Sequence, residues 1–384
     1  MKRICIITTM WSSIRNWIEP FLPFYNESGI DVSIICNMDS SFKNYLNEKY
    51  PYIHTISLPF PRGVSILGSL KSIHLLKNIF KNEKFDLVQY STPNASFYAA
   101  IAAKKAKIKR RLYCQWGMVF ISQKGIKRLV FKIIEKIICK KSTFVQPDSF
   151  GNLEYCRKNG FYTEEKSCVI WNGSAKGLDL EKYDLLNKNI FNEEIRNKYN
   201  IPDSAIVLGF VGRLGQEKGC NELFSVFQKI RQKYNNVKLL FVGPIEKENT
   251  IKPELLHYFK TCEDIIITDR VTEVEKYFSA MDIFVLPSYR EGFGMSVIEA
   301  SSLKIPVICT KYPGPSSAVI DGKTGLLIEP RNIDQLFNAI CLLIDDATQR
   351  TKLGQNGRKF VETHFEQKKF ISLLIANRLK MLNE

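Results

Sequence analysis

Residues 286–300 read Leu286-Pro-Ser-Tyr-Arg-Glu-Gly-Phe-Gly-Met-Ser-Val-Ile-Glu-Ala300, and the reading of this stretch decides the fold. It follows an apolar run, Met281 to Leu286, whose Ile283, Phe284, Val285 and Leu286 show no alternation. That pattern predicts a strand buried on both faces. Pro287 and Ser288 end the strand, and Gly292 and Gly294 permit a tight backbone path. From Met295 the period turns helical, with Val297, Ile298, Ala300 and Leu303 on one side. The product is strand, glycine-punctuated loop, helix. A helix that starts this way presents free backbone N–H groups and a partial positive charge, which together form an anion site. Glu291 and Glu299 would repel a phosphate there. Both read better as acceptors for sugar hydroxyls on either side of a phosphate held by the amides.

Two further stretches extend the pattern. Val207-Leu-Gly-Phe-Val-Gly-Arg-Leu-Gly-Gln-Glu-Lys-Gly219 is again an apolar strand running into glycines, here with two cations, and Asp321-Gly-Lys-Thr-Gly-Leu-Leu-Ile-Glu-Pro330 is a turn followed by a short strand. The Glu291–Glu299 stretch closely resembles the Glu-x7-Glu motif of the retaining glycosyltransferases of family 4. The other two resemble that family's Gly-Arg-Leu…Glu-Lys-Gly segment and its closing strand. The resemblance implies an α/β chain with the GT-B fold, two facing Rossmann-like domains with parallel sheets and a cleft between them. Its expected parts are an acceptor-binding domain over 1–180, a linker over 181–204, a nucleotide-sugar-binding domain over 205–365, and a C-terminal helix, 366–384, that packs back on the first domain.

Composition agrees with two domains of ordinary size: the chain has 384 residues, 45% of them hydrophobic. Ten cysteines are scattered singly without a Cys-x-x-Cys or a Cys/His cluster, so reduced thiols are expected and neither a metal site nor a redox motif. The apolar start Ile4 to Ile7 is interrupted by Thr8 and Thr9 too early for a signal peptide, and reads as the first strand. No stretch approaches the roughly 20 apolar residues of a spanning helix.

Charge is unevenly placed. Residues 1–170 carry 26 Lys and Arg against 12 Asp and Glu, whereas residues 171–384 carry 29 against 27. No nucleic-acid motif accompanies the basic half, and anionic lipid headgroups fit it better. Ala102 to Arg111 holds six Lys or Arg in ten residues. Gly125 to Lys141 sets seven apolar residues, Ile126 to Ile138, on one face against lysines and Arg128 on the other. Such a helix either lies in a membrane interface or buries its apolar face in the domain core. A core-packed helix with a basic rim on the bilayer is the expectation.

Along the chain, Lys2–Thr9, Asp31–Asn37, Phe85–Tyr90, Thr143–Asp148 and Cys168–Ser174 read as strands of the first half, and Ile14–Tyr25 and Ile66–Phe80 as helices. In the second half Ile206–Val211, Val237–Val242, Ile265–Ile267, Ile305–Thr310 and Gly325–Ile328 read as strands. The loop Thr9-Met-Trp-Ser-Ser13 lacks the glycines of many relatives, so Trp11 is expected to wall the acceptor site rather than a phosphate. Trp116 stands where many relatives place a His. It is either an aromatic platform for a sugar ring or an ordinary buried tryptophan. Asn172, before Gly173, matches a loop that contacts donor or acceptor.

The resemblance also implies roles. Glu299 accepts from the ribose hydroxyls and Glu291 from those of the donor sugar. The amides of Gly294, Met295 and Ser296 join Arg213 and Lys218 around the diphosphate, with Gly212, Gly292 and Phe293 shaping the loops and Val271 offering a main-chain contact to the base. Arg213 and Lys218 would neutralise the leaving nucleoside diphosphate without a metal or cofactor; no Asp-x-Asp triplet is present. The expected reaction moves a sugar, with retention, from a nucleotide donor, most simply a UDP-sugar, to a lipid-linked oligosaccharide in bacterial O-antigen or capsule synthesis. The expected place is the cytoplasmic face of the inner membrane, held peripherally by the basic first domain. A lipopolysaccharide-core acceptor, a nucleotide-sugar epimerase of the same fold and a non-catalytic membrane adaptor are the competing readings. A dinucleotide oxidoreductase would need Gly-x-Gly-x-x-Gly after the first strand, where this chain has no glycine.

Overall fold

A computed structural model describes residues 2–61, 66–246 and 248–384. The chain divides into two compact units, Met1–Gly177 with Lys368–Glu384, and Leu178–Gln367.

In the first unit the chain runs β1 (Lys2–Met10), α1 (Trp11–Trp17), α2 (Leu22–Glu27), β2 (Ile30–Asn37), α3 (Ser40–Lys49), β3 (His54–Ser57) and α4 (Ile66–Glu83). It continues β4 (Leu87–Tyr90), α5 (Pro93–Lys105), β5 (Arg110–Gln115), α6 (Gly125–Lys141), β6 (Phe144–Pro147) and α7 (Phe150–Lys158). The six strands form one parallel sheet in the order β3-β2-β1-β4-β5-β6. Ile4 pairs with Val32 on one side and Leu87 on the other. Alternate strand residues feed two cores. Cys5, Ile7, Val88 and Tyr113 face Leu76, Phe80, Tyr98 and Ile138 of α4–α6; Ile4, Ile6, Leu87 and Leu112 face Ile14, Leu22 and Phe42 of the early helices. Parallel strands covered on both faces require the unalternating apolar runs seen in the sequence.

Three local expectations are corrected. Ile14–Tyr25 is not one helix: α1 stops at Trp17, a 3₁₀ turn spans Glu19–Phe21, and α2 begins at Leu22. Pro20 and Pro23 each fall in the first turn of a new segment, where the missing N–H removes no bond. Cys168–Ser174 is not a strand; a parallel bridge joins Val145 of β6 to Ser167 just before it, and the Cys168 N–H donates to Val145 O at 3.3 Å. Thirdly, α6 does not bury its whole apolar face. Ile138 and Cys139 are buried, but Ile126 is 82% exposed, Leu129 59%, Val130 40% and Ile133 48%. Its last turns lie on the core, and its first turns carry apolar and basic side chains alike into solvent.

Residues 368–384 of the helix α15 (Gln367–Asn383) belong to this unit. Phe370, Ile371, Leu374, Ile375 and Leu382 join the second core. Arg378 is fully buried and donates to Gln89 Oε1 at 2.9 Å, Gln146 Oε1 at 2.7 Å and Asn377 Oδ1 at 2.7 Å. Three neutral carbonyls thus satisfy a desolvated guanidinium, which would otherwise be costly to bury.

The second unit contains α8 (Lys188–Lys198), β7 (Ile206–Val211), α9 (Cys220–Lys233), β8 (Val237–Val242), α10 (Pro253–Thr261), β9 (Ile265–Thr268) and α11 (Val274–Ser279). β10 (Ile283–Leu286), α12 (Met295–Ser302), β11 (Val307–Thr310), β12 (Gly325–Ile328), α13 (Ile333–Asp345) and α14 (Ala347–His364) follow. The sheet order is β12-β11-β10-β7-β8-β9, all parallel where paired. Counted from its own first strand this is 3-2-1-4-5-6, the same order as in the first unit and that of doubly wound nucleotide-binding folds. Stacked phenylalanines fill one face, Phe210 on Phe241 at 4.8 Å and Phe224 on Phe259 at 4.5 Å.

Residues 181–204, read as a linker, are built into this unit. Arg196 is buried and pairs with Asp282 at 2.9 Å, while Asp282 also accepts the Val207 N–H at 2.8 Å. That pair ties the polar helix α8 to the starts of β7 and β10.

Candidate functional site

In a doubly wound sheet the chain leaves β7 toward one side and β10 toward the other, so their C-terminal loops part and open a site. The strands are neighbours, with Leu208 opposite Ile283. Loop 212–219 and loop 287–294 therefore meet. Glu217 O accepts both the Tyr289 N–H and the Ser288 hydroxyl at 3.1 Å. Gly219 has φ +73°, and a Cβ on it would lie 2.2 Å from Pro287 O. No residue with a side chain fits that approach without moving the backbone. Gly314, φ +107°, likewise passes so close that a Cβ would sit 2.8 Å from Glu291 O.

This juncture places Lys218 Nζ 2.5 Å from Glu291 Oε1, with side-chain exposures of 18% and 15%. A tight, largely shielded ion pair between the two loops follows, each partner reachable from one side. Arg213 lies in the same first loop, half-exposed, and reaches Glu246 at 3.4 Å. Gly294, φ +91°, caps α12 without any side-chain cap, which leaves the helix start to its own amides. Gly292 and Ser296 are half-buried beside it and Met295 is buried. Phe293 is buried with its ring 5.2 Å from Phe365, so its side chain packs the core. Glu299, on the second turn of α12, is half-buried. The Tyr183 phenol lies against it, pushed well above its usual range by burial first and by the Glu299 carboxylate next. Val271 is half-buried after β9, beyond β8 from the loop juncture.

Sequence reasoning missed two neighbours. Arg290 stands between the motif's proline and its first glutamate. Burial lowers its pKa, Glu217 opposes that, Arg213 adds to it and Glu291 opposes it again. It is thus a third guanidinium or ammonium among these loops. Tyr183 lies 116 residues from Glu299, and no local pattern signals the contact. Among the described residues no group of three or more His, Cys, Asp or Glu is placed to hold a metal ion.

In the first unit the corresponding switch lies between β1 and β4, and Trp11 opens α1 there, stacked on Phe42 at 4.9 Å. Trp116 follows β5, partly buried, with its ring 6.3 Å from Trp17. Lys176 Nζ lies 5.5 Å over the Trp17 ring. Trp17 and Lys176 carry no motif. Asn172 is half-buried in the turn before Gly173.

Comparison with known proteins decides the family. Residues 191–360 match the model "Glycosyl transferases group 1", and residues 12–149 match "Glycosyl transferase 4-like". The chain is 31% identical over 368 residues to the capsular polysaccharide biosynthesis glycosyltransferase CapM of Staphylococcus aureus, covering 95% of this chain and 93% of CapM. The chain belongs to this glycosyltransferase family. It is also 27% identical to the Escherichia coli UDP-Gal:alpha-D-GlcNAc-diphosphoundecaprenol alpha-1,3-galactosyltransferase, over 82% of this chain and 80% of that enzyme. The fold of the glycosyltransferase is similar to the solved structure of HepE from Anabaena, at TM-score 0.78 and 18% identity, covering 99% of this chain and 100% of HepE. The GT-B architecture expected from the motifs is thereby established, and the transferase is of the capsule and surface-polysaccharide type.

Proposed function

We propose that this glycosyltransferase moves a sugar, with retention, from a UDP-sugar to an undecaprenyl-diphosphate-linked saccharide. The observation that carries the reading is the Lys218–Glu291 pair at the meeting of the β7 and β10 loops. In this reading the incoming donor replaces the pair's mutual contact. Lys218 turns to the diphosphate together with Arg213 and Arg290, and Glu291 accepts from a hydroxyl of the donor sugar. The amides at Gly294, Met295 and Ser296 complete the anion cradle, and Glu299 takes the ribose hydroxyls, its orientation held by Tyr183. Negative charge grows on the diphosphate as the sugar leaves, and fixed cations aimed at that charge lower the barrier without a metal. A phosphate oxygen of the donor takes the acceptor's proton during front-side attack. Trp11, Trp116 and Asn172 line the acceptor's side in the first unit.

The acceptor class rests on relatives: the E. coli enzyme and an N,N'-diacetylbacillosaminyl-diphospho-undecaprenol transferase of Campylobacter jejuni both name such a lipid. The membrane contact rests on α6. Exposed Ile126, Leu129 and Ile133 beside Lys127, Arg128 and Lys132 suit an anionic bilayer surface, whereas no helix among the described residues is long and apolar enough to cross a membrane.

The test is nucleoside diphosphate release from a panel of nucleotide sugars, with EDTA present and undecaprenyl-linked acceptor supplied. Wild type is expected to release UDP from one donor, and Glu291→Ala to slow it by at least about 100-fold, the usual loss for a group acting on transition-state charge. Unchanged release in the variant, or release that EDTA abolishes, overturns the reading.

A further inference from the structure

A second cavity lies away from these loops, in the first unit, at the N-terminal ends of β4–β6 beneath the last turns of α15. Its volume is about 380 Å³, within the roughly 300–1,000 Å³ typical of small-molecule sites. In a parallel sheet this end is opposite the strand C-termini that carry Trp11 and Trp116.

The lining has two characters. Leu112, Phe144 and Met381 form an apolar wall, the first buried and the others half-buried. Lys109, Arg110 and Lys380 stand at its edge. Strand alternation explains the arrangement: Arg110 and Leu112 point to the same face of β5, the face that α15 covers, because Cys114 two residues on meets Arg378 of that helix. Arg110 is half-buried, yet among the described residues it makes no ion pair and no side-chain hydrogen bond. By contrast Arg111, facing the other side, is satisfied by the carbonyls of Lys141 and Ile108. Glu384 also lines the mouth, but it pairs with Lys380 at 3.7 Å with both side chains mostly exposed, so it leaves Lys109 and Arg110 uncompensated. A half-buried cation beside an apolar wall is suited to a ligand with an anionic head and a hydrocarbon body. A free anion would leave the wall unused, and a neutral chain would leave Arg110 unpaired.

We propose that this cavity binds a single-chain anionic amphiphile, its phosphate or carboxylate between Lys109 and Arg110 and its chain along Leu112, Phe144 and Met381. The proposal is independent of the donor-site reading, since none of these residues lies in the second unit.

Calorimetric titration of the full chain with dodecyl phosphate, kept below its micelle-forming concentration, tests it. One saturable site is expected. Arg110→Gln should weaken it about tenfold or more, as loss of a charge-assisted hydrogen bond does, and Met381→Asp should weaken it by opposing the chain. Lys104→Gln, at the exposed end of α5, should leave it unchanged. Both weakening variants replace half-buried rather than fully buried side chains, and unaltered tryptophan fluorescence verifies their folding. Equal binding of inorganic phosphate refutes an amphiphile site, equal binding of uncharged dodecyl maltoside refutes anion recognition, and equal loss in Lys104→Gln reduces the effect to general basicity. Absence of a saturable site refutes the proposal outright.

Discussion

Glu135 is a carboxyl buried in the middle of the first unit, and replacing it should change how stability depends on pH. It lies on α6 with 5% exposure, accepting from the Tyr113 hydroxyl at 2.9 Å and the Gln115 amide at 2.6 Å. Around it are Tyr113 and Gln115 from β5, Cys139 on its own helix, Cys156 from α7, and Tyr162. The ionisable groups among these, Tyr113, Cys139, Cys156 and Tyr162, are all pushed upward by burial and stay neutral near pH 7. No cation is paired with Glu135 among the described residues. Burial therefore raises its pKa from 4.5 to about 7, against the two hydrogen bonds that lower it. The folded state then holds a proton that the unfolded chain gives up above about pH 4.5, so this group's contribution is full below that pH and is lost as pH rises through 7. At 1.36 kcal/mol per unit, the shift is worth on the order of 3 kcal/mol. Glu135→Gln keeps the carbonyl acceptor and cannot ionise. All four tryptophans, Trp11, Trp17, Trp116 and Trp171, lie in the first unit, so their fluorescence in urea follows that unit's unfolding selectively. Between pH 5 and 8.5 wild type should lose about 2.5 kcal/mol that the variant keeps. Parallel pH profiles would refute the buried-acid argument.

Two further outcomes follow from particular contacts. Gly219→Ala sets a methyl 2.2 Å from Pro287 O at a φ that side chains avoid; it should part the two loops and weaken UDP binding about tenfold or more, read by calorimetry, and unchanged affinity would count against the juncture as the donor site. Ile126→Ser with Leu129→Ser removes the most exposed apolar side chains of α6 while keeping its charge; flotation with vesicles rich in anionic lipid should fall several-fold, and equal flotation would leave the basic charge alone responsible.

Much of this was legible because it is local. The unalternating runs Ile206–Val211 and Ile283–Leu286 became β7 and β10, and the amphipathic period over Gly125–Lys141 coincides with α6. Burial was not legible to the same degree: periodicity shows that a helix has an apolar face and says nothing of how far a neighbour covers it, which is why the first turns of α6 stand in solvent. The short edge strand His54–Ser57 passed unnoticed, since an edge strand with exposed and half-buried residues lacks the apolar run that marks the central ones. The pairs Tyr183–Glu299 and Arg196–Asp282 are long-range and single, so only the assembled sheet reveals them.

The two units repeat one strand order, and their difference at the switch point bears on which of them receives the nucleotide. In the second unit the loops after β7 and β10 pass so close together that a Cβ on Gly219 would lie 2.2 Å from Pro287 O, and these loops carry Gly215, Gly219, Gly292 and Gly294. Glycine brings bare backbone to that place beside the Lys218–Glu291 pair, and backbone amides can hold phosphate. In the first unit side chains occupy the equivalent place: Thr92 Oγ1 accepts the Thr9 N–H at 2.9 Å and bonds its hydroxyl at 2.8 Å, and the helix that follows starts on Trp11. An aromatic face there suits a sugar ring and offers a diphosphate little. In the proposed reading the same topology serves an anion-binding role where glycine bares the backbone and a saccharide-binding role where threonine and tryptophan cover it.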